Sequence, residues 1–167
     1  IRKVIDTLDN GSFQNFERYN YAYDGNGNLL SELIERKLEN KWINHLKNTY
    51  GYTINGKLLD KTVQKWTSDK WENFIQYINS YDNQNNLLSQ ISAKWLDNKW
   101  INETSFSYNY DNAGLLLSKV NKVWWNGIWV KTNRNRFQYD NSGNMISYFY
   151  EIYYTENLWN TVESFNC

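Results

Sequence analysis

The sequence predicts an all-β protein, an antiparallel up-and-down meander of about twelve strands built from β-hairpin repeats of 29 residues. Three observations predict it: a repeat that runs along the chain, two turn signals in each repeat, and a composition with 18% aromatic residues and no proline. Aromatic residues favour strands, and proline would interrupt their hydrogen-bond ladders. We expect the sheet either to close into a barrel or to coil on itself as an open sheet.

The repeat divides the chain into a partial repeat, residues 1–20, and five further repeats, residues 21–49, 50–78, 79–107, 108–136 and 137–167. Tyrosine occupies the third position of all five, at Tyr23, Tyr52, Tyr81, Tyr110 and Tyr139. Tryptophan occupies position 22 of four, at Trp42, Trp71, Trp100 and Trp129. In the last repeat Trp159 comes one residue late, which indicates an insertion near residues 155–157. We therefore expect residues 1–167 to form a single repeat array.

Each repeat carries two turn signals, so each repeat is two strands. The first signal is a pair whose second residue is Gly, Asn or Asp, such as Asn126-Gly127. These residues tolerate positive φ, which a two-residue type I′ hairpin turn requires. The second signal is Asp-x-x-Gly, such as Asp111 to Gly114, which predicts a three-residue loop with the glycine at a left-handed bulge position; Asn85 replaces it once. We expect the aspartate to accept hydrogen bonds from its own turn.

The two turns fix a register, and the register predicts which side chains share a face. The type I′ turn pairs tryptophans across the hairpin, at Trp66–Trp71, Trp95–Trp100 and Trp124–Trp129. The three-residue turn pairs tyrosine with leucine, at Tyr23–Leu29, Tyr52–Leu58, Tyr81–Leu87 and Tyr110–Leu116. Alternate counting places both sets on one aromatic face and two columns of mostly charged residues on an opposite, solvated face. The columns are Lys3, Glu32, Lys61, Gln90 and Lys119, and Arg18, Lys47, Gln76, Ser105 and Arg134.

Charge and cysteine content exclude several classes of partner. The chain has 18 Lys and Arg against 18 Asp and Glu, and its pI is about 6.8. That balance argues against nucleic acid or anionic lipid, since both select a basic face. No run of 18 apolar residues is present, so we expect no membrane-spanning helix. Cys167 is the only cysteine; it forms no internal disulfide, and we assign it no role.

The sequence offers little for catalysis or metal binding. His45 is the single histidine and falls on the predicted solvated face, where no column supplies an acid to orient it. The segment from Asp24 to Glu35 is similar to an EF-hand loop, but its sixth position is Leu29 instead of glycine and it lies between strands. We therefore expect no catalytic residue, no metal and no cofactor, and we predict that the protein is not an enzyme.

The candidate binding residues are those that suit a sugar, because indole rings stack on sugar rings and amides bind hydroxyls. They are Trp66, Trp71, Trp95, Trp100, Trp124, Trp129, Asn73 and Asn102. A second interpretation makes the asparagines a hydrogen-bonded ladder between strands. The tryptophans recur in successive repeats and pair with each other, which favours a structural role over one concentrated binding site.

The segment Tyr108–Leu117 resembles the YD/RHS repeat, Tyr-x-Tyr-Asp-x-x-Gly, as do Tyr21–Leu29 and Phe137–Asn144. With the Trp-rich remainder, such as Lys94–Asn102, the whole is similar to the Tyr-Asp- and Trp-rich repeats of large secreted and surface proteins from Bacteroidetes-type bacteria. The resemblance implies a non-enzymatic β-array outside the cell or on the bacterial surface, attached to other modules or to neighbouring copies. YD repeats proper form coiled shells that can enclose a toxin.

Three functions follow as hypotheses. The first is a structural or adhesive scaffold of a secreted or cell-surface protein. The second is a carbohydrate-binding module that uses Trp, Tyr and Asn, with polysaccharide as its partner. The third is a fragment of a YD-type shell around a toxin.

Overall fold

The computed structural model of the protein describes residues 1–9, 12–154 and 158–166. In that part of the chain every regular element is a β-strand. The strands, numbered in chain order, are β1 Arg2–Asp9, β2 Ser12–Tyr23, β3 Leu29–Leu38, β4 Lys41–Tyr52, β5 Leu58–Thr67, β6 Lys70–Tyr81, β7 Leu87–Leu96, β8 Lys99–Tyr110, β9 Leu116–Trp125, β10 Ile128–Tyr139, β11 Met145–Tyr153 and β12 Trp159–Asn166.

The strands are hydrogen-bonded in chain order from β1 to β12, which is the predicted meander. The predicted all-β, up-and-down fold of about twelve strands is confirmed. The order is open, because β1 and β12 are its two ends and are not neighbours among the described strands. Of the two forms that the sequence allowed, the closed barrel is therefore wrong and the open sheet is observed.

The chain divides into two compact units. The first comprises residues 1–77 with 94–100, and the second comprises residues 78–93 with 101–167. The boundary falls within strands and does not follow the sequence repeat, which runs evenly through both units. The single repeat array inferred from the sequence stays a prediction.

Both predicted turn types are present. At the type I′ tips both central residues have positive φ, for example Glu39 at 47° and Asn40 at 66°. At the Asp turns the fourth residue has positive φ, 83° at Gly114 and 65° at Asn85. The remaining glycines at this position behave alike, at Gly27, Gly56 and Gly143. The predicted tip at Asn10-Gly11 and the predicted insertion at 155–157 lie outside the described residues.

A β-bulge that the two turn signals do not predict interrupts four hairpins, β1–β2, β3–β4, β9–β10 and β11–β12. In the β3–β4 hairpin Ile34 lies opposite Leu46 and Glu35 lies opposite Asn44, so His45 is an extra residue. The equivalent extra residues are Phe16, Thr132 and Val162. Val162 follows Thr132 by one residue more than the repeat length, in agreement with the late position of Trp159. An extra residue reverses the alternation of side chains beyond it.

The predicted division into one aromatic face and one solvated face is consequently wrong. The guanidinium of Arg18, assigned to the solvated face, lies 4.8 Å from the ring centroid of Trp42. The ammonium of Lys61, assigned to the same face, lies 5.5 Å from the ring centroid of Tyr50. We call the face that carries the tryptophan pairs the tryptophan face and the opposite face, which carries Tyr50, the tyrosine face. Each face mixes rings with charged groups.

The third-position tyrosines hold successive Asp turns together. The hydroxyl of Tyr52 donates a 3.0 Å hydrogen bond to the backbone carbonyl of Leu29, in the preceding repeat. Tyr110 and Tyr139 make the same bond, to Leu87 at 3.1 Å and to Leu116 at 3.0 Å. The tyrosine at this position therefore joins neighbouring repeats through its hydroxyl as well as its ring.

The described residues form little apolar core. The buried apolar residues are Val63 and Ala93. Most of the buried residues are polar or charged: Glu35, Asn48, Asn79, Ser92, Ser105, Ser147 and Glu151. Buried polar groups must be hydrogen-bonded, so the sheet depends on side-chain networks and ring packing as well as on its backbone ladders.

Candidate functional site

The tryptophan pairs next to the type I′ tips are the most regular feature of the chain. The ring centroids of Trp66 and Trp71 lie 5.0 Å apart with an interplanar angle of 68°. Trp95–Trp100 and Trp124–Trp129 have the same separation, 5.0 Å, at 71° and 70°. The predicted pairing is confirmed, and its edge-to-face geometry is one that aromatic pairs prefer.

The paired tryptophans are half-buried, so they combine packing with access to solvent. A ring in an edge-to-face pair is covered by its partner on one side only. Trp125, beside the pair in β9, is 67% exposed. The tryptophan pairs therefore form a partly exposed aromatic surface.

The hairpin tips extend past the pairing between neighbouring hairpins. In the β3–β4 hairpin the register continues to Leu38↔Lys41, next to the turn. Between β4 and the following strand β5 the register begins only at Leu46↔Lys65, one residue beyond the bulge at His45. The β10–β11 register likewise begins at Asn133↔Ile152, next to its own bulge. At these two junctions the pairing between neighbouring hairpins therefore ends next to the bulge, and the two tips beyond it are not paired with each other.

A groove lies between the tip of β5–β6 and the tip of β7–β8, within the first unit, and has a volume of about 530 Å³. We call it the tip groove. It is lined by Gln64, Lys70, Trp71, Glu72, Asn73, Trp95, Leu96, Asp97 and Asn98. The amide nitrogen of Gln64 donates a 3.1 Å hydrogen bond to Oδ1 of Asn73 across the hairpin.

The structure brings together three of the sequence-predicted binding residues, Trp71, Trp95 and Asn73, in the tip groove. Their pair partners Trp66 and Trp100 pack against two of these rings. Asn102, Trp124 and Trp129 do not line this groove.

Three further groove residues, Gln64, Asp97 and Asn98, were not among the sequence-predicted binding residues. Gln64 stands opposite Asn73 across the type I′ turn, so the hairpin register was the signal that would have placed it there.

Charges in the tip groove nearly cancel. Lys70 Nζ lies 2.7 Å from Oε1 of Glu72, and both side chains are largely exposed. Asp97, at the turn, adds one further carboxylate. The groove therefore carries a slight negative charge and presents amides, one carboxylate and two indole rings.

Two buried glutamates on the tryptophan face are bound by arginines. Oε2 of Glu151 accepts hydrogen bonds from Arg134 Nε at 2.6 Å and from Arg136 Nε at 2.9 Å. The pKa of Glu151 is lowered from 4.5 to about 2, mainly by the hydrogen bond from Arg136 and further by Arg134. Four repeats earlier Glu35 accepts from Arg18 and Asn20 in the same arrangement. Both carboxylates are therefore held in place by charge-assisted hydrogen bonds.

His45 is the bulge residue of β4 and is half-buried. Burial, followed by the charge of Arg36, lowers the pKa of the imidazole. The nearby carboxylate of Glu17 is already engaged by Arg36 at 2.9 Å and by the hydroxyl of Tyr19 at 2.5 Å. His45 therefore stays neutral near pH 7, beside a carboxylate that already has two partners.

The Asp turns use their carboxylates internally, as predicted. Oδ1 of Asp24 accepts hydrogen bonds from the backbone N–H of Asn26 at 2.9 Å and of Asn28 at 2.8 Å. The side-chain amide of Asn28 donates to Oδ2 at 2.8 Å, and this bond is the main cause of the lowered pKa of Asp24. In the described ranges no group of three or more His, Cys, Asp or Glu residues is placed to hold a metal ion. Those residues also contain no helix with the length and hydrophobicity to cross a membrane.

Comparisons with known proteins concern the fold. No protein-family model matches the chain. No curated protein matches it either. A protein of unknown function from Bacteroides fragilis has a similar structure, with a TM-score of 0.55 and 17% identity, over 72% of this chain and 91% of that one. The Tc holotoxin pore of Photorhabdus luminescens is similar at a TM-score of 0.51 and 15% identity, over 95% of this chain and 9% of that one.

A DUF3836 family protein from Bacteroides vulgatus is more distant in structure, with a TM-score of 0.42 and 20% identity, over 52% of this chain and 90% of that one. What the chain shares with the first two structures is the fold. The likeness agrees with a β-repeat architecture.

Proposed function

We propose that the protein is a non-enzymatic extracellular β-repeat module that serves as a structural and adhesive scaffold of a secreted or cell-surface protein. The observation that carries the proposal is that the same stabilising contacts recur from repeat to repeat along the chain. Three tryptophan pairs have centroid separations of 5.0 Å, and the tyrosine–carbonyl bond recurs in three repeats. A scaffold is built from the same contacts in every repeat, whereas an enzyme needs one active site that differs from the rest of the molecule.

The chemistry of the side chains supports the same proposal. The buried carboxylates Glu35 and Glu151 are bound by arginines, and Asp24 is bound by its own turn. Paired catalytic groups would need a carboxylate or imidazole that is poised to exchange a proton near the working pH. The partners of such a scaffold are other modules of a longer chain or neighbouring copies.

The experiment that tests the proposal is surface labelling of the source cells. Antibodies against the purified chain are applied to intact cells and to lysed cells, and intact cells are also treated with a protease. We expect labelling of intact cells, or of the medium, and loss of the surface signal after proteolysis. Antigen that is found only after lysis would contradict an extracellular scaffold.

A second candidate is a segment of a YD-type shell around a toxin. The fold likeness to the Tc holotoxin pore, which extends over 95% of this chain, favours it. Affinity capture of the chain from source cells would distinguish the two, because a shell segment would be isolated as part of a much larger polypeptide with an enclosed, protease-protected domain.

A further inference from the structure

We propose that the tip groove between β5–β6 and β7–β8 binds a neutral oligosaccharide. This binding function is separate from the scaffold function, which does not depend on any ligand. The rings, the polar groups and the charge balance of the groove support this inference.

The two indole rings supply an apolar stacking surface. Trp71 and Trp95 both line the groove and come from neighbouring hairpins. Each is held by an edge-to-face partner, Trp66 or Trp100, at 5.0 Å. Because that geometry covers a ring on one side, each ring is fixed in orientation and keeps a second face. Rigid aromatic surfaces bind with little loss of conformational entropy, and the C–H face of a sugar ring is the apolar counterpart that they fit.

The polar groups suit hydroxyls. A hydroxyl both donates and accepts, so it is matched by amides, which do the same, more closely than by a single kind of charge. Asn73, Asn98 and Gln64 supply amides to the groove, and Asp97 supplies a carboxylate.

Charge selects a neutral sugar over an acidic one. The Lys70–Glu72 ion pair cancels itself, and Asp97 leaves the groove slightly negative. A uronate or a sulfated sugar would meet this carboxylate and would find no unpaired cation among the groove residues. The volume, about 530 Å³, falls in the range of small-ligand sites, roughly 300–1,000 Å³.

The aromatic composition distinguishes this groove from two others. The grooves between Asp turns, around Asp24 and around Asp82, have walls of turn residues and tyrosine without tryptophan. The tip groove alone among these three combines two indoles with amides.

The test is an NMR titration of the tryptophan indole N–H signals, assigned with single Trp→Phe variants. The probes are cellohexaose, mannohexaose and xylohexaose, with hexagalacturonate as the acidic comparison. We expect saturable shifts of the Trp71 and Trp95 signals with at least one neutral hexaose, and no comparable shift at Trp124 or Trp129. Absence of saturable shifts with all three neutral hexaoses would overturn the proposal, as would tighter binding of hexagalacturonate.

A matched pair of variants tests the location. Asn98 and Asn40 both occupy the second position of a type I′ turn, with φ of 59° and 66°, so Asn→Gly preserves either turn. Asn98 lines the groove and Asn40 does not. We expect Asn98→Gly to weaken binding about fivefold or more and Asn40→Gly to leave it unchanged, with both variants folded. Equal affinities in the two variants would show that the sugar does not bind in the tip groove. The surface-labelling test is independent of this result, because it concerns the scaffold function and not the groove.

Discussion

Replacement of Glu151 by glutamine tests how a sheet with few buried apolar residues is held together. Glu151 is 3% exposed and accepts hydrogen bonds from two arginines, Arg134 and Arg136. In Glu151→Gln the two guanidinium groups would remain side by side without a counter-charge. Breaking a fully buried ion pair in this way costs about 3–5 kcal/mol.

The magnitude follows from the pKa of Glu151. Its value falls from 4.5 to about 2 on folding, and each pKa unit corresponds to about 1.36 kcal/mol, which gives about 3 kcal/mol as an upper figure. The side chains of Arg134 and Arg136 are 26% and 37% exposed, so solvent screens part of this attraction. We expect Glu151→Gln to lower the free energy of unfolding by about 2 kcal/mol at pH 7.

The pH dependence has a definite sign. Because folding lowers the pKa, the contribution of Glu151 is fully present above pH 4.5 and is lost as the pH falls from 4.5 towards 2. The parent should therefore lose stability across this window, and Glu151→Gln should lose less. Urea denaturation, followed by circular dichroism at pH 7 and pH 3, measures both effects.

Two variants serve as controls. Glu35→Gln removes the equivalent buried carboxylate, which accepts hydrogen bonds from Arg18 and Asn20, and should be destabilising for the same reason. Glu72→Gln breaks the exposed pair with Lys70 and should cost under about 1 kcal/mol. Equal stability of Glu151→Gln and Glu72→Gln, or an unchanged acid sensitivity in Glu151→Gln, would refute the reasoning.

Three further outcomes are expected. Gly114→Val places a branched side chain at φ 83° and should lower the free energy of unfolding by about 1–3 kcal/mol, measured by thermal melting, whereas Asn85→Gly should be neutral or mildly stabilising. Equal losses of stability in Gly114→Val and in Asn112→Val, at an exposed position, would count against the bulged turn. Tyr52→Phe removes the hydrogen bond to the carbonyl of Leu29 and should lower the free energy of unfolding by about 1 kcal/mol, while Tyr23→Phe, at a site 44% exposed, should lower it by less. A larger loss in Tyr23→Phe than in Tyr52→Phe would show that this hydrogen bond does not stabilise the sheet. The circular dichroism exciton couplet should weaken equally in Trp95→Leu and Trp100→Leu, and a parent spectrum without a couplet would argue against the ring geometry.

The turns and the pairing within hairpins were predictable because they follow from local chemistry. Asn126-Gly127 and Asp111 to Gly114 define their turn types through positive φ, and a turn type fixes which residues face each other. The Trp124–Trp129 pair follows directly and lies opposite as expected.

The division of side chains between faces was not predictable from the same rules. The mid-strand bulge residues are Phe16, His45, Thr132 and Val162, which share no side-chain chemistry that would mark the position. Once the bulge is missed, alternate counting assigns the wrong face to every residue beyond it.

The tip groove was only partly predictable. Trp71, Trp95 and Asn73 were identified by residue type, but a groove depends on how two neighbouring hairpins are placed, which local turn signals do not define. Asp97 and Asn98 had been assigned only to a turn, so their second role as groove residues needed the tertiary arrangement.

The central claim is that the protein is an open array of interchangeable hairpin repeats, and deletion of residues 50–78 tests it most directly. This deletion removes one whole repeat and recreates a junction that already exists in the chain, so we expect a folded β protein with a cooperative thermal transition. Deletion of residues 50–64, which removes half a repeat, should abolish that transition because the register is lost. An unfolded product from the whole-repeat deletion, or two deletions that fold equally well, would contradict the account.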